Sequence, residues 1–285
     1  MTGKSRKLVK KQPEFALALG GGGARGLAHI HAIEALNELG IRPVAISGSS
    51  IGALMGAGMA AGMSGKDIRD YAYSVFAKRT EIASRLWKLR AGSMRDIVTG
   101  LRLSQFDCER ILRGFLPDIL PETFEELSIP LIVTATDYFG HRPVAFSEGG
   151  LFKALAASAA IPAVFKPVRD GDRLLIDGGI TNPVPFDLVS HLADHVIAID
   201  VVGAPEPGGR KLPTSIDLMF GTSQIMMQSI TALKLKAHHP AVFLRPPVSR
   251  FRVLDFLKID AVLSETAGFK EEVKRAVEAV LLAQD

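Results

Sequence analysis

A single cysteine and a single tryptophan stand among the 285 residues. One thiol excludes a disulfide within the chain and suits a reducing compartment, so the expected location is the cytoplasm. Cys108 sits between Asp107 and Glu109, whose charges disfavour a thiolate, and it reads as structural rather than reactive. Long uninterrupted apolar runs are also missing. The stretch "FALAL" ends at four glycines, too short for the apolar region of a signal peptide despite the basic residues before it. Val44 to Met63 is long enough for a membrane span, but it is dense in Gly and Ser and broken in its middle. It reads better as a buried strand followed by a small-residue helix. Neither an internal repeat nor a low-complexity tract is present.

Acid is absent from the first 13 residues, "MTGKSRKLVKKQP", which carry Lys4, Arg6, Lys7, Lys10 and Lys11. The whole chain has a net charge of +4, so the remainder sits at −1 and is close to neutral. The tail is expected to be a solvated terminus, or a polybasic arm drawn to anionic lipid. A second basic stretch, Lys78 to Arg102, holds seven cations against Glu81 and Asp96 and contains Trp87. It is expected to be a solvated excursion or an interfacial patch with cations toward phosphates and Trp87 toward acyl chains. Without interleaved aromatics these basic stretches do not read as a nucleic-acid surface.

With 47% hydrophobic residues the chain can bury a large core, and residues 14–285 are expected to form one domain behind the 1–13 tail. Strands are expected at 14–19, 42–47, 130–136, 143–146, 173–176, 195–201 and 241–245. Helices are expected at 27–39, 51–63, 151–159, 183–192, 216–237 and 265–283. Strands alternating with helices imply a parallel sheet covered on both faces, with sites at the carboxyl ends of its strands.

Three short stretches carry candidate chemistry. Gly48-Ser49-Ser50-Ile51-Gly52 fits G-x-S-x-G in one frame only, which singles out Ser50. A strand enters and a helix leaves, so Ser50 sits on a nucleophile elbow; Gly48 and Gly52 spare the turn two β-carbons. "GGGGARG" (20–26) satisfies G-x-G-x-x-G literally, but a dinucleotide site needs a carboxylate about 20 residues on. "AISGSS" offers none there. Consecutive glycines with free amides serve an oxyanion hole instead. Arg25 either pins this loop, adds positive potential, or simply opens a helix. In "LLIDGGITNPVP" Asp177 follows a strand, Gly178 and Gly179 allow a tight reversal, and Asn182-Pro183 reads as a helix start. Alone, Asp177 would be structural; beside an elbow serine it becomes the candidate base.

These stretches, with "ASAAIPAVFKPV" (157–168), resemble the patatin-like phospholipase family, including the bacterial relatives of neuropathy target esterase. The glycine-rich motif falls on Gly21–Gly26, the elbow on Gly48–Gly52 and the Asp-Gly-Gly motif on Asp177–Gly179. The resemblance implies a three-layer α/β/α fold with a mostly parallel central sheet. It also implies a serine acyl hydrolase of phospholipase, lysophospholipase or carboxylesterase type. Ser50 and Asp177 would form a dyad, the Gly21, Gly22, Gly23 and Ala24 amides an oxyanion hole, and Arg25, Gly48, Gly52, Gly178 and Gly179 its support. Neither cofactor nor metal is implied. The substrate would be a phospholipid or other acyl ester, met peripherally at the inner face of the membrane.

Three alternatives stay open at this point. A Ser–His–Asp triad would recruit His191, His195, His238 or His239, although each has an ordinary explanation. An acyltransferase would use the same acyl-enzyme. A non-catalytic lipid-binding protein would keep the fold without the chemistry.

Overall fold

The computed structural model describes residues 13–77, 80, 107–207 and 212–283. Residues 1–12, and the Lys78–Arg102 stretch with Trp87 apart from residue 80, lie outside them. The described residues form one eight-stranded sheet. Its strands are β1 (Phe15–Leu19), β2 (Ala45–Ser49), β3 (Leu131–Asp137), β4 (Arg142–Phe146), β5 (Val168–Asp170), β6 (Arg173–Asp177), β7 (His195–Ile199) and β8 (Val242–Leu244). The order is β5-β6-β3-β2-β1-β7-β8, with β4 also on β3. Pairs among β3, β2, β1, β7 and β8 are parallel. The β3–β4, β3–β6 and β5–β6 pairs are antiparallel.

Strand β3 is the register template for the site. Its residues 133–137 pair with β4 along one edge. Along the other edge β2 pairs first, ending with Ser49 opposite Thr134, and β6 takes over with Asp177 opposite Ala135. Two strands running in opposite directions therefore bring their carboxyl ends together at adjacent residues of one template.

Helices α1 (His29–Glu38), α2 (Ile51–Ala60), α3 (Gly65–Phe76), α4 (Cys108–Phe115), α5 (Leu151–Ser158), α6 (Ser215–Ala237), α7 (Ile259–Glu265) and α8 (Phe269–Leu282) complete the elements used below. Residues alternate along each strand. Leu17, Leu19, Ile46, Val133 and Ile197 meet Ile33, Leu36, Met55 and Val273 in the larger core. The opposite face carries small side chains, Ala16, Ala18, Ala45 and Ala198, which let Val184, Phe186 and Val189 lie directly on the sheet. Helix α6 covers that side, so the three-layer arrangement holds. No helix among the described residues is long and apolar enough to cross a membrane.

The expected helix at 183–192 is not formed; only a 3₁₀ turn, Phe186–Leu188, occurs there. Pro183 and Pro185 bring no amide to a helical ladder. Their carbonyls serve distant donors instead: Pro183 accepts from Gly21 N (2.9 Å) and Pro185 from Ser47 Oγ (2.8 Å). Asn182 is accordingly not a helix cap. Its side chain bonds Asp187 and Lys234 of α6, whose ammonium also reaches Val184 O and Asp187. Strand β2 begins three residues later than expected and ends at Ser49. The expected terminal helix is α8, which starts at Phe269 rather than 265, and the shorter α7 precedes it. The reading from periodicity had no element at 65–76, where Ser64 and Asp67 form a reciprocal cap at the start of α3.

Candidate active site

Ser50 occupies the single residue between β2 and α2. Its φ of 51° and ψ of −123° lie where side chains are costly, by about 1–3 kcal/mol. Crowding explains the flanking glycines. A Cβ at Gly48 would lie 2.5 Å from Ala53 Cα, and one at Gly52 would lie 2.1 Å from Leu19 O. The Ser50 amide donates to Ser158 Oγ at 2.8 Å, from the last turn of α5. This buried hydroxyl lies in the 157–168 block but was not singled out by sequence, because a helix-end serine looks ordinary.

The Ser50 hydroxyl donates to Asp177 Oδ2 at 2.6 Å, with both residues buried. The other carboxylate oxygen accepts from Gly179 N at 2.8 Å, which fixes the rotamer. Gly178 is required by close approach, since a Cβ there would lie 2.1 Å from Thr134 O. Burial raises the Asp177 pKa to about 6, against the opposing pull of the Ser50 and Gly179 hydrogen bonds. Among the described residues no histidine hydrogen-bonds to Ser50 or Asp177. His195 pairs with Phe15 at the amino ends of the parallel strands, and His238 and His239 line a separate cavity with it.

The glycine-rich loop is tied through its amides to distant segments. Gly20 N donates to Ile199 O, Gly21 N to Pro183 O (2.9 Å) and Ala24 N to Val253 O (2.7 Å). The Gly21 and Ala24 amides are thus committed elsewhere, which corrects the four-amide oxyanion hole expected from sequence. The amides of Gly22, Gly23 and Ile51 have no acceptor among the described residues. Ile51 is the first residue of α2, where helix amides go unpaired and the dipole favours anions.

Arg25 pins the loop rather than facing the site. It is buried, donating through Nε to Gly22 O (3.1 Å) and through its guanidinium to Val202 O. In a trans peptide the carbonyl of one residue and the amide of the next point opposite ways. Holding Gly22 O toward Arg25 therefore turns Gly23 N–H outward, and Gly23 lines the same cavity as Ser50. His29, which sequence reasoning passed over, holds Gly20 O at 2.8 Å in the same manner. Burial pushes its pKa down to about 4, so the ring is neutral at physiological pH.

A cavity of about 350 Å³ opens beside Ser50. Three helices wall it, each through one i, i+3, i+4, i+7 face: Ile51-Leu54-Met55-Gly58, Ile68-Tyr71-Ala72-Val75 and Cys108-Ile111-Leu112-Phe115. Burial, reinforced by Asp177, Asp107 and Glu109, pushes the Cys108 thiol to about 12, so it acts as an apolar wall. Phe256, stacked on Phe76 with centroids 5.1 Å apart, flanks the cavity near the loop that accepts the Ala24 amide.

The patatin-like phospholipase family profile matches residues 17–190, and the chain belongs to that family. An uncharacterized NTE family protein of Mycobacterium tuberculosis is 37% identical over 193 residues, 67% of this chain and 50% of the relative. A second from that species is 29% identical over 296 residues, 95% of this chain and 47% of its own length. Human patatin-like phospholipase domain-containing protein 6 is 28% identical over 277 residues, 87% of this chain and 19% of the relative. The chain thus spans about half the length of the mycobacterial relatives it matches. Among solved structures, the ExoU–SpcU complex of the Pseudomonas aeruginosa type III secretion system aligns with TM-score 0.47 and 16% identity. That alignment covers 95% of this chain and 52% of the other. VipD from Legionella pneumophila aligns with TM-score 0.43 and 14% identity, over 90% of this chain and 67% of the other.

Proposed function

We propose that this chain is a serine hydrolase of lipid acyl esters working through a Ser50–Asp177 dyad. The observation that carries this reading is the 2.6 Å hydrogen bond from an elbow serine, held at positive φ on a helix amino end, directly to a buried carboxylate. Asp177 accepts the hydroxyl proton as Ser50 Oγ attacks the ester carbonyl carbon. Negative charge grows on the carbonyl oxygen, and the Gly22, Gly23 and Ile51 amides are the donors with capacity to receive it. Collapse expels the alcohol, which takes the proton from Asp177 and leaves an acyl-Ser50 ester. Water then attacks that ester, Asp177 takes the water's proton, and the departing Ser50 oxygen recovers it.

A carboxylate near pKa 4 is a weak partner for a serine hydroxyl. Raising it to about 6 brings the base nearer to neutral operating pH, and burial supplies that increase. The apolar cavity beside Ser50 suits the acyl chain, while the alcohol side of the ester faces outward. The substrate is then a phospholipid or related acyl ester presented at a membrane surface.

The experiment is hydrolysis of a short p-nitrophenyl ester by wild type, Ser50→Ala and Asp177→Asn, with fluorophosphonate labelling and peptide mapping. Both variants should be inactive with an unchanged circular dichroism spectrum, and the label should map to Ser50. Full activity in either folded variant, or a label on another residue, would refute the dyad.

A further inference from the structure

Gly58 lies inside α2 on the face that lines the cavity, seven residues beyond Ile51 and so about 10 Å along the helix from the nucleophile's end. A glycine inside a helix costs up to about 1 kcal/mol against alanine, so its presence asks for a reason. Close packing supplies that reason at Gly52, where a Cβ would strike backbone. It does not at Gly58. A Cβ there would meet Ile68 Cδ1 at 3.4 Å and Met63 Sδ at 3.5 Å, ordinary contact distances. Both neighbours line the cavity, so a side chain at this position would project into its far end. With glycine there, Ile68 and Met63 are the nearest walls.

We propose that Gly58 sets the depth of an acyl-chain channel along α2 and thereby selects the length of the acyl group cleaved best. The preferred substrate class is an ester of one straight acyl chain that reaches from Ser50 to the floor formed by Met63 and Ile68. This rests on the ester-hydrolase reading above. The helical hairpin of α2 and α3 fits the assignment: Ile68 stands beside Gly58, whereas Phe76, eight residues on, stacks on Phe256 close to the glycine-rich loop. Among the described residues, none that lines the cavity is charged and could solvate a polar terminus, so an unsubstituted hydrocarbon tail is the matching ligand.

The test measures kcat/KM for p-nitrophenyl esters from acetyl to palmitoyl with wild type, Gly58→Ala and Gly58→Leu. Wild type should gain about fourfold per methylene until the channel is filled and then level off. Gly58→Leu should level off several carbons earlier, and each pair of excluded methylenes should lower its long-to-short ratio about sixteenfold. Gly58→Ala should fall between the two. It favours the helix and meets only ordinary contacts, so it decides the matter if the leucine variant does not fold. Superimposable chain-length profiles in wild type and a folded variant would overturn the proposal. Should wild type hydrolyse no ester, the hydrolase reading fails separately, and calorimetric binding of hexanoate through palmitate judges the channel. There Gly58→Leu must weaken the long acids relative to the short ones, and unchanged relative affinities would reject it.

Discussion

Ser50 N–H donates to Ser158 Oγ at 2.8 Å, linking the backbone of the elbow to the end of α5. The serine conformation is costly, and this contact is one of those that hold it. Replacing Ser158 with alanine leaves a buried amide without an acceptor, at a cost of about 1–3 kcal/mol. The released backbone also loosens the aim of the hydroxyl. Ser158→Ala should lower the urea midpoint and reduce kcat more than it changes KM. An unchanged kcat in the folded variant would show that the bond plays no part in positioning Ser50.

Asp177 should control both activity and stability through one titration. Its pKa of about 6 means that folding favours the protonated carboxyl. That preference is complete below the ordinary carboxylate pKa near 4 and is lost as pH rises through 6. Above it, the folded chain carries a buried charge at a cost of about 3 kcal/mol. Asp177→Asn avoids this cost, so its Tm should exceed that of wild type at pH 8 and the difference should vanish near pH 4. In wild type, kcat/KM should fall about tenfold per pH unit below 6 and be flat above it. A pH-independent Tm difference would argue against a buried ionisation.

The site glycines should divide by what surrounds them. Gly52→Ala and Gly178→Ala each drive a Cβ to 2.1 Å from a backbone oxygen and should cost about 3 kcal/mol or more, compromising the fold. Gly21→Ala meets nothing nearer than Ser50 Cβ at 3.4 Å. It should fold and lose activity, because its methyl group stands against Ser50. Denaturant unfolding and ester hydrolysis on the three variants check this order; a stable, active Gly52→Ala would contradict it.

Arg25 should act through the peptide it holds. Burial, which outweighs the attraction of Asp200, lowers its pKa to about 10, and it remains charged at neutral pH. Arg25→Met keeps the length but leaves Gly22 O without that donor, while Val202 O retains Gln224. The Gly23 amide then loses its fixed direction. A drop in kcat of at least about tenfold with a smaller change in KM is expected, one transition-state hydrogen bond being worth that much. Wild-type kcat for short esters and wild-type stability in Arg25→Lys, with both lost in Arg25→Met, would point to charge rather than fork geometry as the reason for an arginine.

The sequence by itself determined the local chemistry: a serine turn that needs glycines on both sides, a glycine-rich loop without a ribose-binding acid, and an aspartate at a strand end. It also determined the layered class, because strand and helix periods alternate and each depends only on near neighbours. Tertiary structure decided which groups meet and which amides remain available. The pairing of Ser50 with Asp177 depends on β2 and β6 converging on Thr134 and Ala135, a long-range register that no spacing between 50 and 177 encodes. The same holds for the loop at 183–189, where two prolines give up a helix and their carbonyls bind Gly21 and Ser47 instead. Gly21 and Ala24 have amides like any other in the chain; only the arrival of Pro183 and Val253 commits them. Hydrogen bonds between distant segments are decided by where the whole chain packs, and that is why the availability of the Gly22, Gly23 and Ile51 amides and the Ser50–Ser158 contact became visible only in the folded molecule.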